Sequence, residues 1–318
     1  MSHDKPTAIV YACLSNAAAP SNSIACVGKC RIQTSESKEF EALILKNIER
    51  VKAEAEEKTP EQKKLCKKLM KQSVAECSSW LNSIVDVSVI DLEVCVSGKA
   101  VLDTDGLIVQ CLMDAGAAAV VFSNEDNQLL DIINVARVPC ERVCAHFNNL
   151  EECMNNESFQ SISSLVTSIS VGLPNLSEDS LSTFQTFLTD NIAITKNLRV
   201  VAQVEAYLGD SSTQVNAFSK KDIDVLLVDP TPNDLGLSFA ACIRTDRPDG
   251  LYTTVVCSRG GEALGLVYSS KESIVAALEC GRGVYYSRSR NSLWRKGDSS
   301  GHFQVRFRVE INKCFGYY

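Results

Sequence analysis

Asp105–Ser123, DGLIVQCLMDAGAAAVVFS, carries the information that decides the fold class. Its first twelve residues form an apolar helical stretch ending at Gly116. AAAVVFS then follows at once, a short run of small and β-branched residues that reads as a buried strand. A helix that hands directly to a buried strand is half of a βα unit, and such units build parallel sheets.

The same alternation extends outward on both sides. Toward the N-terminus, residues 7–14 (TAIVYACL) and 24–32 (SIACVGKCR) read as strands separated by the turn-forming APSNS. From Ser35 a helix places Phe40, Leu43, Ile44, Ile48 and Val51 at three- and four-residue intervals. A second helix starts at Thr59-Pro60-Glu61-Gln62, with Thr59 as N-cap, Pro60 in the first turn and Gln62 completing a capping box. Its stripe is Cys66, Leu69, Met70, Val74 and Cys77, and its charged remainder reads as a solvated outer face. An alternating run, SIVDVSVIDLEVCV (83–96), precedes the opening stretch.

Toward the C-terminus come a helix in NEDNQLLDIINVARV (124–138) and strands in ERVCAHF (141–147) and LRVVAQVEA (198–206). A helix over Gln214–Lys221, a strand in DVLLVDP (224–230) and a helix in LGLSFAACI (235–243) follow. Residues 1–245 are therefore expected to form an α/β domain of parallel βα units, barrel-like or half-barrel. Asp114–Val121 also resembles the helix-to-strand step of barrel and half-barrel phosphosugar enzymes.

No catalytic constellation emerges in this region. Glu205, Asp224 and Asp229 read as ordinary strand-end acids, and neither Val27-Gly28-Lys29 nor Gly260-Gly261 has the spacing of a phosphate-binding glycine loop. The 14 cysteines lie mostly in apolar runs, so most are expected to be reduced core thiols rather than a disulfide framework. Cys26 with Cys30, and Cys140 with Cys144, lack zinc-ligand spacing.

Composition shifts at TDRPDG (245–250), taken as the boundary of a small α+β domain over 246–304. Its expected elements are a strand in LYTTVVCS, a Gly260-Gly261 turn, a strand in ALGLVYSS, a helix KESIVAALECG capped by Ser270, and a strand in VYYSRSR. The chain carries a formal charge of -7. Tyr285–Gln304, YYSRSRNSLWRKGDSSGHFQ, nevertheless sets Arg288, Arg290, Arg295 and Lys296 against Asp298 alone. Forked guanidinium donors, an ammonium and accessible backbone N–H groups suit phosphate. An RNA-contacting arm fits less well, given the acidic balance, so no nucleic-acid partner is expected.

These residues also carry a resemblance. Ser287-Arg288-Ser289-Arg290, Leu293-Trp294-Arg295-Lys296-Gly297, Ser299-Ser300-Gly301-His302 and Gln304 resemble, in order and spacing, the first half of phosphoribosyl-AMP cyclohydrolase. That histidine-biosynthesis enzyme opens the adenine ring of phosphoribosyl-AMP by hydrolysis. Arg244–Thr254, RTDRPDGLYTT, is similar to the version fused into fungal-type multifunctional histidine-biosynthesis proteins. The resemblance implies phosphoribosyl-AMP as substrate and a homodimer. Its implied substrate- and phosphate-binding residues are Ser287, Arg288, Ser289, Trp294, Lys296, Gly297, Ser299, Ser300, Gly301 and His302.

It also implies zinc and magnesium, held in the family by an Asp-Cys-Asp element after the SSG motif and by a later Cys-His element. This chain departs after Gln304. Residues 305–318, VRFRVEINKCFGYY, contain no Asp, no His and one cysteine, Cys314, and read as a non-matching tail. The expectation is a cyclohydrolase by descent whose metal-binding C-terminal part is missing, with no metal ligand or catalytic residue assignable here. The alternative is a non-catalytic nucleotide- or phosphate-binding protein derived from that family. With no bilayer-length apolar run and no secretory leader, a soluble cytoplasmic protein is expected.

Overall fold

Eight parallel strands close into a barrel: β1 (Val10–Leu14), β2 (Lys29–Ile32), β3 (Asp91–Cys95), β4 (Ala119–Ser123), β5 (Val143–Phe147), β6 (Ser168–Leu173), β7 (Arg199–Val204) and β8 (Ile223–Val228). Each pairs with its neighbour in chain order, and β8 returns to β1 with Tyr11 opposite Leu226. The computed structural model describes residues 10–14, 28–32, 37–55, 59–85, 90–124, 128–155, 159–204, 212–258, 260–304 and 309. No described helix is long and apolar enough to cross a membrane.

Closure follows from the two-residue period of the strands. Outward-facing Ala12, Ile32, Leu92, Val94, Phe122, Ile169, Val225 and Leu227 are buried beneath the helices in one continuous apolar cluster. Each of the Val, Leu, Ile and Phe side chains among them contributes about 1.5–3 kcal/mol on burial. The long helices α1 (Ser37–Ala55) and α2 (Pro60–Ile84) both lie between β2 and β3. Thr59 and Gln62 form the expected capping box, and α2 buries Leu69, Ser73, Cys77 and Leu81 along one stripe. Cys66, Met70 and Val74, expected in that stripe, are only half-buried.

The barrel is complete because of elements that the strand pattern did not disclose. Between β5 and β7 lie α6 (Leu150–Asn155), α7 (Phe159–Leu165), β6, α8 (Glu178–Asp190) and α9 (Ile192–Thr195). The remaining barrel helices are α3 (Gly98–Asp103), α4 (Leu107–Asp114), α5 (Leu129–Ala136), α10 (Ser212–Ser219) and α11 (Pro232–Cys242). Seven of the twelve described cysteines are buried and all twelve are free, as core thiols should be. Cys140 is exposed, an exception to the expected core thiols, and Cys26 lies outside the described residues.

Inside the barrel, Tyr11, Cys13, Val201 and Leu226 form a small separate apolar cluster, and charge fills much of the rest. Glu93 is 2% exposed and ion-paired to Lys29, to Arg31 at 2.7 Å and to Arg199 at 3.4 Å. Tyr11 donates to the same carboxylate at 3.2 Å, and Asp224 pairs with Arg199. Asp224, read as an ordinary strand-end acid, stands near the start of β8 and is buried in a structural ion pair. Arg31, fully buried, also donates to Ser170 Oγ at 2.8 Å and Gln203 Oε1 at 3.2 Å. Burial by itself would raise the Glu93 carboxyl, but Arg31, Lys29 and Arg199 outweigh it and hold that group well below the usual range.

Lys29 and Arg199 begin their strands, so this knot occupies the N-terminal half of the barrel, where barrel residues serve stability rather than chemistry. Above it His146 faces Ser170 Oγ at 3.3 Å. Burial, seconded by Arg31, lowers its imidazole from 6.5 to about 3, so it is neutral at physiological pH.

Two outcomes follow. Glu93→Gln leaves Lys29 and Arg31 without their carboxylate, Arg199 keeping Asp224, and chemical denaturation should register a loss of about 3–5 kcal/mol. The unfolded chain protonates His146 near pH 6.5, whereas the folded chain resists protonation down to about 3. The unfolded state thus binds more protons across that window. Stability should be full above about pH 6.5 and fall on acidification by up to about 1.4 kcal/mol per pH unit. The depressed Glu93 acts in the same direction below about pH 4.3. Urea midpoints between pH 8 and 4 measure this slope, and His146→Gln should flatten it above pH 4.3.

Candidate functional site

After α11 the chain crosses a turn in which the Gly250 N–H donates to Arg247 O at 3.0 Å. Arg247 there forms a two-point ion pair with Asp249. β9 (Tyr252–Cys257) and β10 (Ala263–Ser269) pair antiparallel. Ser270 and Ser273 form a reciprocal capping box at the start of α12 (Lys271–Cys280), and Gly281, at φ 63°, ends the helix in the left-handed region. β11 (Val284–Ser287) and β12 (Ser292–Arg295) then make a second antiparallel hairpin. β12 runs through what reads in sequence as loop; the four-residue length and lack of a Gly-containing two-residue turn hide it.

This hairpin sorts the expected binding residues into two groups. Ser287, Arg288 and Ser289 stand at its tip, whereas Lys296, Gly297, Ser299, Ser300, Gly301 and His302 follow its other end. Four residues of strand separate the groups by roughly 10 Å. At the tip, Arg288 lies over the Tyr268 ring at 3.9 Å, and the Ser287 and Ser289 hydroxyls are 3.4 Å apart. Trp294, half-buried in β12, contacts Tyr285 at 5.9 Å between ring centroids and carries the Lys296 ammonium at 5.1 Å. Ser299, Ser300 and His302 are exposed.

At the open end lies a cavity of about 270 Å³ lined by Cys280, Arg282, Gly283, Val284, Arg295, Lys296 and Asp298. Its walls are fixed by backbone. Lys296 N–H donates to Gly283 O at 2.9 Å, Gly283 N–H to Gln304 O at 2.9 Å, and Gly301 N–H to Gly297 O at 2.7 Å. Gly297 adopts φ 101°, and a Cβ there would meet the Phe303 nitrogen at 2.7 Å, so only glycine closes this loop. Arg282 packs over Phe303 at 4.5 Å. The lining thus includes three cationic residues, Arg282, Arg295 and Lys296, and one acidic residue, Asp298, a composition that suits an anion.

Of the residues expected from sequence, the cavity includes Lys296 alone, with Gly297 and Gly301 shaping its rim. Arg282 and Arg295 are additions. Arg295 stands inside the LWRKG motif and was open to assignment, whereas Arg282 carries no local signal beyond following the helix-ending Gly281. No group of three or more His, Cys, Asp or Glu side chains is placed to hold a metal among the described residues. Cys314 and Glu205 lie outside them.

Comparison with known proteins bears on this region. Residues 265–313 match the phosphoribosyl-AMP cyclohydrolase family, running past Gln304 into the tail. The chain is 44% identical to the histidine biosynthesis trifunctional protein of Saccharomyces bayanus over 125 residues, 39% of this chain and 15% of that protein. It is 64% identical to the trifunctional protein of Saccharomyces cerevisiae over 70 residues, 22% of this chain and 9% of that one. A phosphoribosyl-AMP cyclohydrolase of Dechloromonas aromatica is 41% identical over 56 residues, 42% of its length. The chain thus spans less than a sixth of the two trifunctional relatives. No solved structure matches it.

Forcing a side chain onto the cavity rim is a direct check on this geometry. Gly297→Val should lower the stability measured by thermal or urea unfolding, whereas the exposed Ser299→Ala should leave it within about 0.5 kcal/mol of the parent.

Proposed function

We propose that this chain binds phosphoribosyl-AMP in the Arg282–Arg295–Lys296 cavity and descends from the enzyme that opens its adenine ring by hydrolysis in histidine biosynthesis. One observation carries the reading: the matched residues 265–313 contain a cavity with three cations and one carboxylate. Arg282, Arg295 and Lys296 neutralise a phosphate, while Gly297 and Gly301 keep the loop backbone close to it. Trp294 offers an aromatic wall for the base, and Arg288 at the hairpin tip is a candidate partner for the second phosphate.

Ring opening adds water at a ring carbon, which calls for an activated water. The zinc and magnesium implied by the family would supply it by lowering the pKa of a bound water. The residues of this chain do not fit that demand: the described part has no metal-ligand cluster, and Val305–Tyr318 offers one cysteine with neither Asp nor His. No hydrolytic step is therefore derived through a metal. The same observation favours a second reading, a nucleotide-binding protein that turns over little. A homodimer, as in the family, belongs to the first reading.

Calorimetric titration of the full chain with phosphoribosyl-AMP and with AMP tests the proposal. Lys296→Ala or Arg282→Ala should weaken binding about 10- to 100-fold, the scale of one lost charge-assisted hydrogen bond. Unchanged affinity in both variants would remove the cavity from the reading. Rapid ring opening in the presence of added zinc and magnesium would contradict the assignment of missing ligands, and sedimentation as a monomer would remove the dimer.

A further inference from the structure

We infer that the barrel is the mounting surface of the nucleotide module, joined to it at α11 and α12 so that both halves unfold as one unit and Gly236 positions the cavity. α11 follows the last barrel strand and packs directly on α12 of the module. The approach is close enough that a Cβ on Gly236 would meet the Val275 Cα at 3.1 Å, a backbone atom that cannot turn aside. Helix axes come this near only where one partner has no side chain.

The joint has an apolar core. Leu235 and Phe239 of α11, and Ile274 and Leu278 of α12, are at most 5% exposed and belong to the same continuous cluster as the barrel's outer strand faces. Two units that merely share a chain meet across a polar, separable surface, whereas an unbroken apolar core ties their folding together. The likeness to the Saccharomyces bayanus protein covers 39% of this chain, more than lies beyond residue 245, so it too reaches back into the barrel.

The consequence for the cavity is geometric. Its wall Cys280–Val284 hangs from the C-terminal end of α12, whose seat is set by α11. Gly236 touches nothing in the cavity and acts through α12, as a positioning residue.

The chain contains two tryptophans, Trp80 on barrel helix α2 and Trp294 in the module. Full-length Trp80→Phe and Trp294→Phe variants therefore report each half separately. Their urea transitions should coincide; well-separated midpoints would overturn the inference. In the chain retaining both tryptophans, Gly236→Val should weaken AMP binding at least tenfold while circular dichroism still reports the native helix content, with Gly236→Ala intermediate. Should Gly236→Val fail to fold, Val275→Ala, which loosens the same joint, should weaken AMP binding several-fold. Unchanged affinity in the folded variants would deny Gly236 its role. The affinity arm rests on the proposed nucleotide reading and the two-probe arm does not. If the parent chain binds no AMP, that reading fails while coincident transitions still support the joint.

Discussion

Inside the barrel one carboxylate, Glu93, is ion-paired to three cations, Lys29, Arg31 and Arg199. Three strands, β2, β3 and β7, meet through it, and β8 joins by way of Asp224 and Arg199. Isolated charges could not be buried there at acceptable cost, so the knot is stable only as a complete set. Its completeness also fixes what the barrel is. A lumen whose N-terminal half is occupied by paired ions, with a neutral His146 and Ser170 above, is a packed interior.

The proposed nucleotide site lies instead in the short module after residue 245, where the physics is local. A helix-ending glycine, a four-residue hairpin and a glycine-pinned loop place three cations around a small cavity. The chain as a whole is acidic, with a charge of -7, so this concentration of positive charge stands out against its surroundings and favours anion capture there.

The alternation of strand and helix was legible because outward strand faces are apolar and must be, whatever the barrel encloses. β6 was not: Ser168, Ser170 and Gly172 interrupt its apolar run. Ser170 is polar because Arg31, 139 positions earlier, needs an acceptor inside the barrel. The pairing of Glu93 with Arg31 spans 62 positions and leaves no periodic trace. The capping box at Thr59 and the N-cap at Ser270 were legible because they are local. In the module the motifs that resemble a known family pointed to the right stretch but not to its geometry. The hairpin places Ser287–Ser289 and Lys296–Gly301 at opposite ends, and Arg282 enters the cavity only because Lys296 pairs its backbone with Gly283.

In the proposed reading barrel and module divide the work, the one a mount and the other an anion-binding cavity whose wall grows from the joint between them. The most direct test is an amide NMR titration of the full chain with AMP. Binding in the cavity predicts shifts concentrated at Arg282, Gly283, Arg295, Lys296 and Gly297. Shifts concentrated instead at the C-terminal mouth of the barrel, around Cys13, Cys95 and His146, would contradict it.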